Sequence, residues 1–306
     1  MAKVLLIGGS GFIGARLHHY LMQQGVDVTS VDLDLFGHWS SLPNTQEDFA
    51  NLEKGVLAQY RTVILLAGHS SVKMCLGNLR STFNNNVVNF IALMNKLTKE
   101  QQLIYASSSS IYGGLSDEMI CEDTDKYRAL NFYDLSKYEI DSYAKLHDSV
   151  EFYGLRFGTV NGFSLNCRDD IMLNAMFKSA QINGVVTITN PSIHRPILGL
   201  DDLCRAIYNI VREGTFATRG IYNLASFNAT VKDIAQGAAD NMGVRLVVGD
   251  NLPNAYDFTI STSKFSSAFG FSFQDTIETI LGELHRGQAQ MNFTNRNKAI
   301  IYGPQS

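Results

Sequence analysis

Gly8, Gly11 and Gly14 recur every third residue within Gly8-Gly9-Ser10-Gly11-Phe12-Ile13-Gly14, directly after the apolar run Val4-Leu5-Leu6-Ile7. A backbone turn of this kind can approach a pyrophosphate closely while the N–H groups of the helix that follows point at the anion. Much later, Ser108 stands 25 residues before Tyr133-Asp134-Leu135-Ser136-Lys137. A tyrosine and a lysine four residues apart share a helix face, and the cation favours the phenolate, whose free pKa of ~10 is too high for a useful base. Alone, either group is weak: glycines fall at this spacing by chance, and Tyr133 with Lys137 could be an aromatic–cation pair on a helix surface. Together and in this order they predict hydride chemistry on a nicotinamide cofactor, with the phenol handling the proton.

The elements needed to hold these groups are visible in the apolar pattern. Short β-branched runs at 4–7, 26–31, 62–66, 103–106 and 151–155 alternate with stretches long enough for crossover helices at 12–24, 49–59, 83–98 and 133–146. That alternation predicts an α/β fold, a Rossmann-type doubly wound parallel sheet. Beyond about residue 160 the alternation loosens and Gly, Asn, Asp and Pro gather near 161–170 and 190–196. The expected division is a cofactor domain over 1–160, rejoined by later segments, and a smaller, mainly substrate-binding lobe over 161–306.

Asp32 lies 24 residues after Gly8, at the end of the second predicted strand. A carboxylate there accepts hydrogen bonds from the adenosine ribose and repels a 2′-phosphate, and no Arg or Lys occurs between Thr29 and Asn51. NAD is therefore expected over NADP; a solvated strand-end acid is the plain alternative. Phe12 and Ile13 in the turn, Asp48 and Phe49, and Leu66-Ala67-Gly68 at a strand end are further cofactor candidates. Asp48 reads equally well as an acid at a helix N-terminus. Trp39 either flanks adenine or packs.

Composition bounds the rest. The chain has 306 residues, 45% hydrophobic and 18% charged, with a net charge of −4. Such a balance suits a sizeable core and argues against general binding to nucleic acid or a membrane surface. No segment reaches the ~18 apolar residues of a membrane helix. Cys75, Cys121, Cys167 and Cys204 are widely spaced without a CxxC pair, which predicts reduced thiols, a cytoplasmic setting and no metal site. His69 and His194 have no Cys or carboxylate at ligand spacing.

With these motifs in order, the chain resembles the extended short-chain dehydrogenase/reductases, the nucleotide-sugar epimerases, dehydratases and ketoreductases. Tyr105-Ala106-Ser107-Ser108-Ser109-Ser110-Ile111-Tyr112-Gly113 is similar to the family's Ser-Ser-x-x-Val-Tyr-Gly strand end. The resemblance implies that Ser108, four residues before Tyr112, is the catalytic serine, and that Tyr133 and Lys137 are the catalytic pair, Lys137 also bonding the nicotinamide ribose. Asn86-Val87 matches the pair that starts a helix near the cofactor. Leu155-Arg156-Phe157, Asn174, and Arg195-Pro196 followed by Asp202-Leu203 extend the likeness. It implies a nucleotide-diphosphate sugar as substrate, with Ser70, Ser108, Thr159, Arg168, Asn174 and Arg195 as candidate contacts, and a homodimer built on helices 83–94 and 133–146. Arg195 and Arg168 read alternatively as structural ion-pair residues, Arg195 with Asp201 or Asp202. Asp202 itself is expected to cap a helix.

Departures from the family narrow the chemistry. Ser109-Ser110-Ile111 stands where 4,6-dehydratases carry an Asp-Glu pair, and Ser110 stands where enzymes that epimerise at C3 and C5 use a cysteine. A family arginine before a late tyrosine is missing, with Asn254-Ala255-Tyr256 in that neighbourhood. The reading is an NAD-dependent epimerase acting by transient oxidation at C4. A 4-ketoreductase and a non-catalytic NAD-binding protein are the alternatives.

Overall fold

The computed structural model describes residues 3–38, 40–113, 115, 119–123, 127–253 and 255–293; Trp39 and Asn254 lie outside them. Seven strands form one sheet in the spatial order Gly220–Leu224, Glu151–Phe157, Gln102–Ser108, Thr62–Leu65, Val4–Ile7, Val28–Asp32, Thr45–Gln46. All neighbouring pairs are parallel. Val4–Ile7, Thr62–Leu65 and Glu151–Phe157 are buried along their whole length, as strands covered on both faces must be. Chain order reverses on either side of Val4–Ile7, where Ile7 aligns with Val31 on one flank and Leu65 on the other. The crevice at those carboxyl ends is where such sheets take ligands.

One face of the sheet is covered by helices Phe12–Gln23 and Leu200–Glu213, which bring Leu17, Leu21, Leu203 and Ile207 against Ile64, Ile104 and Tyr153. The other face is covered by Asn89–Lys96 and Phe132–Leu146, through Phe90, Met94, Ile140 and Ala144 against Val63, Leu103 and Tyr105. Burying each such large apolar side chain stabilises the fold by about 1.5–3 kcal/mol. A separate cluster joins helices Met172–Asn183, Val231–Met242 and Ile277–Gly287 to strand Val185–Ile188 through Phe177, Ile234, Leu281 and Ile188. Between the two, a small sheet runs Phe227–Thr230, His194–Gly199, Thr159–Asn161.

Two expected helices are broken. The stretch 49–59 holds only a 3₁₀ turn, Phe49–Asn51, and one α turn, Lys54–Leu57. Asp48 closes the first by accepting from Ala50 N at 3.0 Å, and Leu52 is extended. The stretch 83–98 divides into Leu79–Phe83, a π-helical segment Asn84–Val88, and Asn89–Lys96. Three consecutive asparagines offer the backbone competing side-chain partners, and the π segment faces the site, where such turns concentrate. Among the described residues no helix is long and apolar enough to cross a membrane.

Candidate active site

The glycine turn has the geometry its spacing predicts. Gly8 sits at φ +95°, and a Cβ on Gly14 would fall 1.9 Å from Gly8 O, so helix Phe12–Gln23 rests directly on the turn. A Cβ on Gly11 would meet only Gly8 O, at 3.3 Å; this is the open point of the cradle. The cavity above it is lined by Gly8, Gly11, Phe12, Ile13 and Gly14, by Asp32, by Asp48 and Phe49, and by Leu66, Ala67 and Gly68. These residues, scattered in sequence, thus share one pocket.

Asp32 braces the turn while facing the pocket. Its Oδ2 accepts from Ser10 N at 3.0 Å and its Oδ1 from Asp34 N at 2.9 Å. Burial pushes its pKa up, and these two backbone hydrogen bonds hold it down. Asp48 does two things the sequence left open: it caps the Phe49–Asn51 turn and lines the cavity. Asn86 is a correction, since its side chain is buried and committed. It accepts from His69 N at 2.9 Å and donates to His69 O and to Ser136 Oγ. Asn86 therefore holds the Gly68–Ser70 rim against the Tyr133 helix, and its neighbour Asn85 lines the pocket. The run of three asparagines, Asn84 to Asn86, was the available signal for Asn85.

Ser108 ends strand Gln102–Ser108, and Tyr133 and Lys137 lie in the first turns of helix Phe132–Leu146. A buried polar clamp fixes that strand to that helix: Asp141 accepts from Tyr105 OH at 3.1 Å, Ser107 Oγ at 3.0 Å and Arg156 Nε at 2.7 Å. Arg156 is fully buried, so removing Asp141 would strand a charge at a cost of about 3–5 kcal/mol. The Tyr133 phenol is thereby brought close to the Ser108 hydroxyl, which favours its ionised form. Lys137 Nζ donates to Ala106 O at 2.7 Å and lies 5.9 Å from the centre of the Tyr133 ring.

The expectation that Lys137 lowers the Tyr133 pKa needs correcting for the protein by itself. Burial raises the phenol to about 12, and the opposing influences are the Ser108 hydroxyl and the Arg168 cation. Lys137, tied to a carbonyl, is itself pulled down to about 8 by burial. A base at Tyr133 therefore requires positive charge beyond what these residues supply.

The expected substrate residues fall in different places. Arg195 forms no ion pair with Asp201 or Asp202: Arg16 takes Asp201, and Arg205 takes Asp202 at 2.7 Å. Arg195 instead donates to Thr159 Oγ1 at 3.3 Å, lies over the Tyr256 ring at 5.7 Å, and has no partner for Nε among the described residues. It borders a cleft shared with Met172, Met176, Asn190 and Leu252. Thr159 stands behind Arg195. Arg168 makes a two-point ion pair with Asp170, at 2.8 and 2.7 Å, and with Ser70 it lines the cofactor pocket. Asn174 is a second correction. It is 1% exposed, accepts from Gly162 N and donates to Gly162 O and Arg168 O; its side chain staples the 162–168 loop. Asp202 is not a helix cap either: from within the first turn of Leu200–Glu213 it accepts from Gln274 N and Asp275 N.

Sequence reasoning missed Tyr256, Asp134 and Ser110 as a group. Asp134 accepts from Tyr256 OH at 2.9 Å and from Ser110 Oγ at 2.6 Å. Only Asp134 inside the Tyr-to-Lys run and Ser110 inside the serine run gave any hint.

A family model described as the NAD dependent epimerase/dehydratase family matches residues 4–225. Protein CapI of Staphylococcus aureus is 27% identical over 235 residues, covering 69% of this chain and 70% of that protein. A UDP-glucose 4-epimerase of Lactobacillus helveticus is 27% identical over 175 residues, 53% of each, so the match spans about half of that relative. Among solved structures, an NAD dependent NDP-hexosamine 5,6-dehydratase of tunicamycin biosynthesis superposes with a TM-score of 0.82 at 19% identity, over 94% of this chain and 98% of that one. A UDP-glucuronic acid 4-epimerase from Bacillus cereus, in complex with UDP-glucuronic acid and NAD, gives 0.79 at 21%, over 94% and 99%. At these identities the superpositions speak for the fold.

Proposed function

Since the chain belongs to the NAD dependent epimerase/dehydratase family and is an enzyme whose cofactor is NAD, we propose that it epimerises a nucleotide-diphosphate sugar by transient oxidation at C4. The observation that carries this reading is the placing of Ser108 close enough to Tyr133 to favour its ionised form, with Lys137 one turn on, where neither a dehydratase acid pair nor a cysteine stands next to Ser108. Proton transfer at one sugar oxygen is what these residues can perform.

Bound NAD supplies the hydride acceptor and the positive charge that the Tyr133 site otherwise lacks. Tyr133 as phenolate takes the proton of the C4 hydroxyl and, as phenol, returns it when the ketone is reduced. Ser108 holds the reacting oxygen through a preorganised hydrogen bond. Lys137 keeps its charge behind the Tyr133 ring and is the candidate for the nicotinamide ribose. Asp32 receives the adenosine ribose hydroxyls. Arg195, without an ion-pair partner among the described residues and backed by Thr159, is the candidate for the diphosphate by charge-assisted contacts.

At the level of the whole chain we assign 1–160 with its returning segments to the cofactor and 161–306 mainly to the sugar nucleotide, in a cytoplasmic homodimer joined through Asn89–Lys96 and Phe132–Leu146. In support, Val88 and Phe83 just before the first helix and Leu146 at the end of the second are exposed. Incubating the purified protein with UDP-, GDP-, dTDP- and CDP-sugars and following products by NMR tests the function. A C4 epimer from one of them is expected, and net loss of water or net consumption of NADH would contradict it.

A further inference from the structure

The cofactor cavity carries little positive charge. Four carboxylates line it, those of Asp32, Asp34, Glu47 and Asp48, and among the described residues the single cation on its wall is Arg168. A dinucleotide brings the further negative charge of its pyrophosphate, and the glycine turn meets that charge with backbone N–H groups alone. Gly11 is the N-cap of helix Phe12–Gln23, and no side chain caps the helix there. The first N–H groups of the helix are therefore left for an anion.

Arg168 reaches this place from the second half of the chain, on a strap over 162–170 that is fastened to the turn itself. Asn166 Nδ2 donates to Ser10 O, inside the glycine turn, at 2.7 Å. Cys167 lies in one buried cluster with Phe12, the first residue of the helix. With its two predecessors anchored on Ser10 and Phe12, Arg168 stands beside the helix N-terminus. Its own carbonyl is held by Asn174 Nδ2 at 3.0 Å. Asp170 accepts from its Nε at 2.8 Å and its Nη2 at 2.7 Å. A guanidinium has five N–H groups, so this grip sets its plane and leaves the other three without a partner among the described residues. The side chain is 13% exposed and lines the cavity.

We propose that Arg168 binds the pyrophosphate of NAD, as the charged half of a site whose other half is the backbone at Gly11 and Phe12. The strap then completes a cofactor cradle that the glycine turn begins. Asp170 is the positioning residue: its two-point grip holds the planar fork ready for phosphate oxygens. Arg168 also lies within electrostatic reach of the Tyr133 phenol. That suits a residue at the middle of a dinucleotide, with the adenosine toward Asp32 and the nicotinamide toward Tyr133. The assignment takes Arg168 out of the candidate sugar-nucleotide contacts and leaves that diphosphate to Arg195, which borders a separate cleft. It needs NAD as cofactor and is independent of the sugar and of the reaction.

The test is calorimetric binding of NAD⁺, ADP-ribose, adenosine and UDP to the full chain without any sugar. In Arg168→Gln the affinities for NAD⁺ and ADP-ribose should fall together by about tenfold to a hundredfold, the range for losing a hydrogen bond to a charged group. Adenosine, which has no phosphate, should bind as it does to the wild type. Arg168→Lys keeps the charge and loses the fork, so its loss for NAD⁺ and ADP-ribose should be intermediate; it carries the test by itself should Arg168→Gln not fold. Unchanged NAD⁺ affinity overturns the assignment. So does a loss for NAD⁺ without one for ADP-ribose, which would place Arg168 on the nicotinamide, or an equal loss for adenosine, which would mean a damaged cavity. A larger loss for UDP than for NAD⁺ would return Arg168 to the sugar nucleotide. No arm involves turnover, so the outcome is separate from that of the proposed epimerisation.

Discussion

A phenol raised to about 12 by its own burial is a poor base until a cation arrives, and that links chemistry at Tyr133 to cofactor binding. Replacing Tyr133 by Phe removes the phenolic proton acceptor and keeps the ring. It should lower turnover by about 10²–10⁴ and leave NAD affinity, measured by calorimetry, within a few-fold; near-normal turnover would exclude the role. Asp32 makes a different claim, on cofactor choice. Its two carboxylate oxygens already hold Ser10 N and Asp34 N, so it is fixed in place as a repulsive group toward a 2′-phosphate. Asp32→Ala is expected to narrow the NAD-over-NADP preference by about tenfold, or ~1.4 kcal/mol. Tighter NADP⁺ than NAD⁺ binding by the wild-type protein would contradict that assignment.

At the scale of elements, the parallel strands were legible because burial on both faces forces continuous apolar runs, and the first helix because its glycines and apolar spacing agree. The run 49–59 was not, since its apolar spacing does not show that the chain turns extended at Leu52 and ends the turn that Asp48 starts. The Asp134 cluster was hidden for a different reason: Tyr256, which completes it, is 122 residues away in sequence, and the placing of such a contact comes from packing alone. Ser108, Tyr133 and Lys137 were legible because their spacing is set within one strand end and one helix, whereas Asn86 and Asn174 had the expected neighbourhood and an orientation that spacing does not reveal.

The contact between turn and helix gives an element-scale prediction. Gly14→Ala puts a Cβ within 1.9 Å of Gly8 O and 2.8 Å of Gly9 Cα, so helix and turn must separate. Loss of about 1–3 kcal/mol in denaturant unfolding is expected, with loss of NAD binding; wild-type binding in the variant would mean that the turn is not the cradle. A second prediction concerns pH. Arg16, Asp201 and Glu283 join helices Phe12–Gln23, Leu200–Glu213 and Ile277–Gly287. Burial and the hydrogen bond with Asp201 raise the Glu283 pKa above its ordinary range, against the pull of Arg16. The folded protein then holds a proton that the unfolded chain has already released, so this stabilisation is present at low pH and is lost as pH rises through the raised value. The melting temperature should fall with rising pH more steeply in the wild type than in Glu283→Gln, which keeps a hydrogen-bonding side chain and cannot titrate. Parallel curves would show that Glu283 does not hold the proton.

The whole molecule combines a sheet crevice, carrying the glycine turn, Asp32 and Tyr133, with a second cluster of helices on whose side Arg195 faces a cleft. Strand Gly220–Leu224 and helix Leu200–Glu213 come from the second half of the chain and pack into the first, so the two halves of the chain share one core. In the function proposed above, chemistry is confined to C4 and the cofactor is unchanged after each turnover. The most direct measurement is turnover of a nucleotide sugar deuterated at C4, identified from the panel of nucleotide sugars. The predicted result is the C4 epimer with deuterium retained at C4, no exchange from solvent and no lasting NADH absorbance. Loss of the label to solvent, or stoichiometric oxidation of added NADH with a 4-keto sugar, would contradict it.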